Sequence, residues 1–198
     1  MTVALIDAGG ANLGSVQSAL ARLGAQVRVA RDADELAGAD RIILPGVGAA
    51  KPAMALLRER GFVTRLKDPP VPLLGICLGM QLLYSHSAEG DVACLGLLPG
   101  RVEAMRKAEG IRLPHMGWNT LEPVRPSALT AGLEEGAQAY FVHGYAVEDP
   151  HNTVLASTHG ARFSALVQHG HVAGMQFHPE RSSAVGRKLL INFLEWSP

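Results

Sequence analysis

Short apolar runs alternate with amphipathic stretches along the first part of the chain, and this alternation constrains the fold more than any other feature. Apolar runs bounded by Gly, Pro or Asp are typical of buried strands, whereas apolar residues spaced by three and four are typical of helices. A strand–helix–strand order makes neighbouring strands parallel and places helices against the sheet. The sequence therefore predicts an α/β fold, with a central, mostly parallel sheet flanked by helices on both faces.

The expected elements follow one another without a long linker, a repeat or a low-complexity segment. Strands are expected at 3–6, 26–30, 41–44, 71–76, 140–147, 153–157, 165–168 and 172–177. Helices are expected at 16–23, 50–60, 78–84 and 183–196. A chain of 198 residues is the usual size of one domain, so we expect a single domain over 1–198.

Charge and composition exclude several classes of protein. The 18 Lys and Arg residues balance 18 Asp and Glu residues, so neither nucleic acid nor an anionic membrane is an expected partner. No apolar run reaches the length of a membrane-spanning helix, and the first residues do not resemble a signal peptide. The two cysteines, Cys77 and Cys94, are too few for a disulfide framework, which predicts a cytoplasmic protein with Cys94 as a small buried residue.

The pentapeptide Gly-Ile-Cys-Leu-Gly at 75–79 is the strongest local signal for chemistry. It lies between an expected strand and an expected helix and has the Gly-x-nucleophile-x-Gly form of a nucleophile elbow, with Cys77 as the nucleophile. The N-terminus of a helix favours a thiolate, because its partial positive charge stabilises the anion. Taken alone, the pentapeptide fits an ordinary buried cysteine equally well.

A His-Pro-Glu segment near the end of the chain favours the catalytic interpretation. A nucleophilic cysteine needs a base, and the base needs a group that fixes its tautomer. His178 and Glu180 are two residues apart at the end of an apolar strand, where extended geometry would point both side chains to one side. The chain has eight histidines, and the nearby carboxylate is what distinguishes His178 from the others.

A Pro-Gly-Val-Gly loop after the third expected strand is a candidate for substrate contact. Gly46, Val47 and Gly48 would let backbone N–H groups approach a ligand closely. With the N–H of Leu78 they would form an oxyanion hole, although the loop alone fits a plain turn equally well. Gln81 lies one helical turn after the cysteine and is a further candidate for substrate contact.

Together these residues resemble the class I, triad-type glutamine amidotransferases. That family has a Gly-x-Cys-x-Gly elbow, a Pro-Gly-rich oxyanion loop and a C-terminal His-Pro-Glu, spaced much as in this chain. The resemblance implies a flavodoxin-like fold and hydrolysis of glutamine to glutamate and ammonia, without a cofactor or a metal. It implies that Cys77 forms a thioester, that His178 transfers the proton and that Glu180 orients His178.

Three more segments, at 7–16, 113–119 and 140–145, are similar to the glutaminase subunit of imidazole glycerol phosphate synthase. This resemblance implies a heterodimer in which the ammonia passes to a separate (β/α)₈-barrel cyclase. That cyclase makes imidazole glycerol phosphate and an aminoimidazole carboxamide ribotide in histidine biosynthesis. The resemblance also implies that the glutaminase is nearly idle until the cyclase binds its ligand, with the Pro-Gly-Val-Gly loop as the gate.

The same resemblance implies roles for further residues. It assigns glutamine binding to Gly48, Gln81 and Glu89. It places four residues toward the cyclase: Asn12, Trp118, Tyr140 and Arg181.

Three positions depart from the pattern of these subunits. Ala8 stands where an aromatic residue is usual, Gly144 where Ser or Thr is usual, and Arg181 where Lys is common. At Gly144 only backbone contact with glutamine is expected. At position 181 the charge is kept, but Arg and Lys form contacts of different geometry.

Several other interpretations are weaker. The glycine-rich segment at 7–14 lacks the glycine spacing of a dinucleotide fingerprint and the lysine of a P-loop. Without the resemblance, Trp118 would be assigned to the core, and His169 and His171 to a solvated turn rather than a metal site. Two alternative functions are the glutaminase of pyridoxal phosphate synthase, which lacks the 113–119 segment, and an inactive regulatory module of the same fold.

Overall fold

The computed structural model describes residues 1–10 and 13–198. The strands are β1 (Thr2–Ile6), β2 (Gln26–Ala30), β3 (Arg41–Gly46), β4 (Leu73–Cys77), β5 (Tyr84–Ser87), β6 (Val92–Ala93), β7 (Leu98–Ala104), β8 (His115–Thr120), β9 (Glu122–Pro123), β10 (Gln138–His143), β11 (Tyr145–Ala146), β12 (Thr153–His159), β13 (Ala161–His169) and β14 (Val172–Met175). The helices are α1 (Leu13–Arg22), α2 (Ala50–Glu59), α3 (Phe62–Arg65), α4 (Leu78–Leu82) and α5 (Ser183–Glu195). Short 3₁₀ helices lie at Asp34–Leu36, Ala128–Thr130 and Pro179–Arg181.

The central sheet has eight strands in the order β2–β1–β3–β4–β14–β13–β12–β9. The first five strands in this order pair in parallel, and the last three continue the sheet in antiparallel pairing. The predicted α/β fold with a mostly parallel sheet is therefore confirmed.

Helices cover both faces of this sheet because successive strand residues point to opposite sides. In β3, Ile42 and Leu44 belong to one apolar core, which also contains Met54 and Leu57 of α2. Ile43, between them, belongs to a second core, which is built with side chains of α1 and α5. Within the described ranges, no helix combines the length and the apolar composition needed to cross a bilayer.

Two smaller sheets lie beside the central one, and most of their strands were not predicted from the sequence. β8 and β10 form an antiparallel ribbon, and β11, β7, β5 and β6 form a four-stranded sheet. The helix expected at 78–84 ends at Leu82, because Tyr84 is fully buried and pairs with Leu98 of β7 instead. These strands are short and pair with distant segments, so their sequences carry little periodic signal.

Two further expectations for this region are wrong in detail. The single strand expected at 140–147 is divided into β10 and β11, with Gly144 between them. Cys94 is half-buried rather than fully buried, because it follows the two-residue strand β6 in a loop at the margin of the core.

The carboxyl ends of three neighbouring parallel strands bring the candidate residues to one edge of the sheet. Gly46 at the end of β3 pairs with Cys77 at the end of β4. β14 lies on the other side of β4 and leads directly to the segment that contains His178. Ligands commonly bind at this edge of open α/β sheets.

Helix α5 holds the His178 segment in place through close backbone packing. Gly186 of α5 lies against the carbonyl group of Pro179, and a Cβ atom at position 186 would overlap that oxygen. Because Pro179 lies between His178 and Glu180, any displacement there also moves both of those residues.

We expect Gly186→Ala to lower the free energy of unfolding by about 3 kcal/mol, because a backbone carbonyl cannot move aside for the added methyl group. Urea unfolding measures this change. Gly14→Ala in α1 is the matched control, since none of the described atoms lies within 4 Å of a Cβ atom there. A Gly186→Ala protein as stable as the Gly14→Ala protein would contradict the packing argument.

Candidate active site

Cys77 lies at the sharp turn where β4 ends and α4 begins. Its φ of 54° and ψ of −112° lie outside the regions that a side chain normally allows. The flanking glycines make the turn possible, because a Cβ atom on Gly79 would overlap the carbonyl oxygen of Leu44 and one on Gly75 would clash with the backbone of Gly79. Strain of this kind is typical of functional sites, where it fixes the direction of a reactive side chain.

His178 and Glu180 form an ion pair in the segment that follows β14. Nδ1 of His178 lies 2.8 Å from Oε1 of Glu180, and both side chains are buried. The extended geometry that we expected for this pair is wrong. Because β14 ends at Met175 and Pro179 starts a 3₁₀ helix, the two side chains meet across a tight turn.

The environment of His178 favours its charged form. Burial by itself lowers the pKa of His178, but hydrogen bonding with Cys77 and then with Glu180 raises it to about 10. An imidazolium at neutral pH stabilises a neighbouring thiolate. The structure therefore brings Cys77, His178 and Glu180 together in the order needed for an activated thiol.

The sulfur of Cys77 also has neighbours that were not predicted from the sequence. The Cys77 sulfur lies 3.7 Å from the carbonyl oxygen of Val142 and 3.9 Å from Nε2 of Gln176. Gln176 is two residues before His178 in the sequence, and this spacing could have identified Gln176 as a neighbour of Cys77. Val142 contributes only its backbone, which no sequence motif reveals.

A cavity of about 600 Å³ opens next to Cys77 and His178. The predicted residues Val47, Gly48 and Leu78 line it. The same cavity is lined by the predicted substrate residues Gln81 and Glu89.

The Pro-Gly-Val-Gly loop lies beside the N-terminus of α4. A Cβ atom on Gly46 would lie 3.1 Å from Cβ of Leu78 and 3.2 Å from the Gly79 nitrogen, so the loop and the helix are in close contact. Gly48 has a φ of +94°, which favours glycine over other residues. The first N–H groups of a helix have no partner within that helix, so those at the start of α4 are candidate donors to an anion beside Leu78.

Gln81 and Glu89 are both held by hydrogen bonds within the protein. Nε2 of Gln81 donates to the Tyr145 carbonyl oxygen and to Oε1 of Gln176, each over 2.9 Å, so a substrate contact would use Oε1 of Gln81. Oε2 of Glu89 accepts a hydrogen bond from the N–H of Ala50 at the start of α2. Glu89 is thereby fixed with its carboxylate at the rim of the cavity.

Three residues that were not predicted belong to the cavity wall or support its base: His143, Tyr145 and Ser182. His143 and Tyr145 line the cavity with Gly144 between them. Ser182 is fully buried, accepts a hydrogen bond from the N–H of Tyr140 and donates one to the carbonyl oxygen of His178. It thereby ties the segment that contains His178 and Glu180 to β10.

Three of the residues expected to face a partner, Trp118, Tyr140 and Arg181, lie together at the surface. Trp118 is 52% exposed, so its alternative assignment to the core is wrong. Its ring lies edge-on to Tyr140, and the Arg181 guanidinium lies 5.3 Å from the centre of the Tyr140 ring. Met116, which the sequence analysis did not select, is 65% exposed on the same strand as Trp118. We call Met116, Trp118, Tyr140 and Arg181 the ribbon patch; Asn12 lies outside the described residues.

The two histidines flanking Gly170 are not grouped with other ligands in the part of the chain that the structure describes. Nδ1 of His169 lies 3.1 Å from Oδ1 of Asn152. Among the described residues, no group of three or more His, Cys, Asp or Glu side chains is placed to hold a metal ion.

Residues 4–196 match the family described as glutamine amidotransferase class-I. The chain belongs to this family. Since the match covers nearly the whole chain, the elbow at Cys77, the Pro-Gly-Val-Gly loop and the His178 segment are all parts of one amidotransferase fold.

Similar curated proteins carry the name of one amidotransferase subunit. The chain is 63% identical over 195 residues to imidazole glycerol phosphate synthase subunit HisH of Xanthomonas oryzae pv. oryzae (strain MAFF 311018), covering 98% of each chain. It is 60% identical over 193 residues to the protein of the same name from Xylella fastidiosa (strain Temecula1), covering 98% of this chain and 96% of that one.

Solved structures match the fold over nearly the whole chain. A crystal structure of a glutamine amidotransferase matches with a TM-score of 0.75 and 25% identity, covering 98% of this chain and 97% of the other. The structure of PurLQS from Thermotoga maritima matches in fold with a TM-score of 0.74 and 21% identity, covering 98% of this chain and 97% of that one.

We expect Glu180→Gln to lower the pKa of His178 from about 10 to about 9 or below, because a neighbouring opposite charge shifts a pKa by about 1 unit or more. NMR titration of the imidazole nitrogens measures this change. Glu135→Gln, at an exposed site, is the control.

The same substitution changes how stability depends on pH. A histidine whose pKa is raised from 6.5 on folding stabilises the folded protein fully below pH 6.5, and this contribution is lost as the pH rises through about 10. In Glu180→Gln the loss should be complete at a lower pH. An unchanged His178 titration in this variant would show that Glu180 does not support the imidazolium.

Proposed function

We propose that this chain is the glutaminase subunit of imidazole glycerol phosphate synthase. It hydrolyses glutamine to glutamate and ammonia and passes the ammonia to a separate subunit. The observation that carries this proposal is the full-length similarity to curated HisH subunits, at 63% identity, in a chain with Cys77, His178 and Glu180 assembled beside one cavity. We include in the proposal a single amidotransferase domain over 1–198, a cytoplasmic location and no requirement for a cofactor.

The first half of the reaction forms a thioester. The Cys77 thiolate attacks the side-chain amide carbon of glutamine, and the carbonyl oxygen becomes an oxyanion. Backbone N–H groups of the loop at 46–48 and of Leu78 stabilise that charge. His178 donates its proton to the amide nitrogen, the C–N bond breaks, and ammonia leaves while the γ-glutamyl group remains on the sulfur.

The second half of the reaction releases glutamate. His178, now neutral, takes a proton from a water molecule as that water attacks the thioester carbon. The C–S bond breaks, glutamate leaves, and the thiolate–imidazolium pair forms again. Glu180 keeps Nδ1 of His178 bonded throughout, so that Nε2 carries the exchanged proton.

Glutamine binds in the cavity through groups of opposite charge or polarity. The Glu89 carboxylate at the cavity rim is suited to the positively charged α-amino group. Oε1 of Gln81 is positioned to accept a hydrogen bond from the substrate, and Gly48 offers backbone groups. At Gly144 a Cβ atom would lie 3.8 Å from Pro114, so the position has room for a side chain but only backbone polar groups to offer.

The ribbon patch is the proposed docking surface for the partner, a (β/α)₈-barrel cyclase. Exposed aromatic residues and Arg are the residue types that dominate binding energy at protein interfaces. Arg181 follows Glu180 directly and lines the cavity, so the patch and the reaction site are continuous. Docking here would place the partner over the site at which ammonia is released and would let it act on the Pro-Gly-Val-Gly loop as the gate.

In the partner subunit the ammonia would be used to make imidazole glycerol phosphate and the aminoimidazole carboxamide ribotide of histidine biosynthesis. The alternative, the glutaminase of pyridoxal phosphate synthase, lacks a segment like 113–119. In this chain that segment supplies most of β8 and two residues of the ribbon patch, which disfavours the alternative. An inactive regulatory module is disfavoured by the ion pair of His178 with Glu180 beside the thiol.

We expect Cys77→Ala to reduce glutamate release by a factor of about 10⁴ or more, because no other group can form the thioester. The measurement is glutamate release by the chain together with the cyclase subunit and its ribotide ligand. Cys94→Ala is the control and should keep wild-type activity, since this thiol lies in a loop after β6. Activity retained in Cys77→Ala would exclude Cys77 as the nucleophile.

The partner itself is tested by the same assay with wild-type protein. Glutamate release should rise when the cyclase and its ligand are added. An unchanged rate would contradict the assignment to this synthase while leaving the glutaminase chemistry in place. Selective labelling of Cys77 by an electrophilic glutamine analogue distinguishes an active glutaminase from an inactive module.

We expect Trp118→Ala to raise the Kd for the cyclase subunit at least tenfold, which corresponds to about 1.4 kcal/mol or more. Isothermal titration calorimetry measures the affinity. Val124→Ala is the matched control, because Val124 is also an exposed apolar residue, 43% accessible, but lies outside the ribbon patch. Equal affinities for the two variants would place the interface elsewhere.

A further inference from the structure

Two buried histidines in the β8–β10 ribbon have no part in the mechanism described above. His115 and His143 lie directly opposite each other in the ribbon register and are 3% and 6% exposed. Phe141 and Phe163 pack against both rings. Buried polar groups are retained only where their hydrogen bonds are satisfied, so the partners of these rings define what they do.

The hydrogen bond of His143 to the backbone fixes its tautomer. Nδ1 of His143 lies 2.9 Å from the Tyr145 carbonyl oxygen, and a carbonyl can only accept, so Nδ1 carries the proton. Burial lowers the pKa of His143 to about 3, which keeps the ring neutral with one proton. Its Nε2 is therefore an acceptor.

The direction of the next hydrogen bond follows from this assignment. Nδ1 of His115 lies 3.1 Å from Nε2 of His143, so Nδ1 of His115 must be the donor. Burial also lowers the pKa of His115, to about 4, so its Nε2 is free of a proton and accepts from Nδ2 of Asn119 over 3.3 Å. Asn119 uses its other amide hydrogen for the Thr158 carbonyl oxygen over 2.9 Å.

The resulting chain of donors runs in one direction, from Asn119 through His115 and His143 to the Tyr145 carbonyl oxygen. It begins beside Trp118 in the ribbon patch. It ends at a carbonyl that also accepts the hydrogen bond from Gln81. Because His143 and Tyr145 both line the cavity, the chain ends in the wall of the substrate site.

We propose that His115 and His143 are positioning residues for glutamine, which hold the cavity wall at 143–145 and the side chain of Gln81 through this one-way chain of hydrogen bonds. The inference deepens the proposed function and rests on glutamine as the substrate. Gly144 separates β10, which pairs with β8, from β11, which pairs with β7, and the bond from the His143 ring to the Tyr145 carbonyl oxygen closes the turn between these two strands.

The first test is the tautomer of each ring in the wild-type chain. Imidazole in water favours the tautomer with its proton on Nε2, whereas the chain of hydrogen bonds requires Nδ1–H on both His115 and His143. ¹⁵N NMR of histidine-labelled protein at neutral pH distinguishes the two tautomers without substrate. An Nε2–H tautomer at His143 would overturn the inference.

The second test separates positioning from general stability by comparing two substitutions at His143. His143→Leu removes the donor, and in the complex with the cyclase subunit we expect the KM for glutamine to rise about tenfold while kcat changes less than twofold. His143→Asn keeps an N–H at the place of Nδ1 and should restore the KM to within threefold of wild type. An unchanged KM in His143→Leu, or an Asn variant no better than Leu, would overturn the inference.

A further variant and a control keep the test decisive if His143→Leu does not fold. His115→Phe keeps an aromatic ring of similar shape but removes the donor to His143, and it should raise the KM about threefold. His159→Asn is the control, since the His159 ring stacks on His115 while its hydrogen bond goes to the Arg112 carbonyl oxygen, outside the hydrogen-bond chain; its KM should equal that of wild type.

The two hypotheses fail in different ways. If the wild-type complex released no glutamate, the proposed function would be contradicted, while the NMR result would still report whether the hydrogen-bond chain exists. If the wild type is active but His115→Phe and His143→Leu keep its KM, only the positioning role is contradicted.

Discussion

The close approach of α4 to the backbone of β3 is the constraint on which the whole site depends. Gly79 lies against the Leu44 carbonyl, and Gly75 lies against the backbone of Gly79, so neither position can carry a side chain. This contact lets the chain turn from strand to helix within one residue and holds Cys77 at a positive φ. The same turn places the first N–H groups of α4 beside the Pro-Gly-Val-Gly loop, where the proposed oxyanion would form next to Cys77.

Strand β10 links the remaining parts of the site to the ribbon patch. The carbonyl oxygen of Tyr140 in this strand accepts the hydrogen bond from the N–H of His178, and the carbonyl oxygen of Val142 lies 3.7 Å from the Cys77 sulfur. His143, at the end of the strand, bonds to Tyr145, which holds Gln81. One strand therefore contacts Cys77, the segment that contains His178 and the turn at 143–145 that lines the cavity, while its partner β8 exposes Trp118. A displacement of the ribbon would therefore move Cys77, the His178 segment and the cavity wall together.

Whether an element could be predicted depends on whether its own sequence shows a pattern. The parallel strands were found because they are buried on both faces and read as continuous apolar runs, as in Ile42, Ile43 and Leu44. The elbow was found because the turn demands glycine at fixed positions. By contrast, β5 and β7 were missed, since Tyr84 enters a strand only through its pairing with Leu98. The contact between His178 and Glu180 was predicted from the sequence, but with an extended backbone. In the structure Pro179 starts a 3₁₀ helix, and the two side chains meet across that turn.

The sequence by itself determined the fold class, the nucleophile elbow and the order of the candidate catalytic residues, because these depend on local periodicity and on backbone positions that only glycine tolerates. Tertiary structure alone decided which distant groups meet at the cavity. Val142, Gln176, Ser182 and the pair His115 and His143 act through backbone carbonyls or buried hydrogen bonds, and such partners are set by strand register rather than by local sequence. The exposure of Trp118 was likewise decided by the pairing of β8 with β10, which leaves its ring on the outer face of the ribbon.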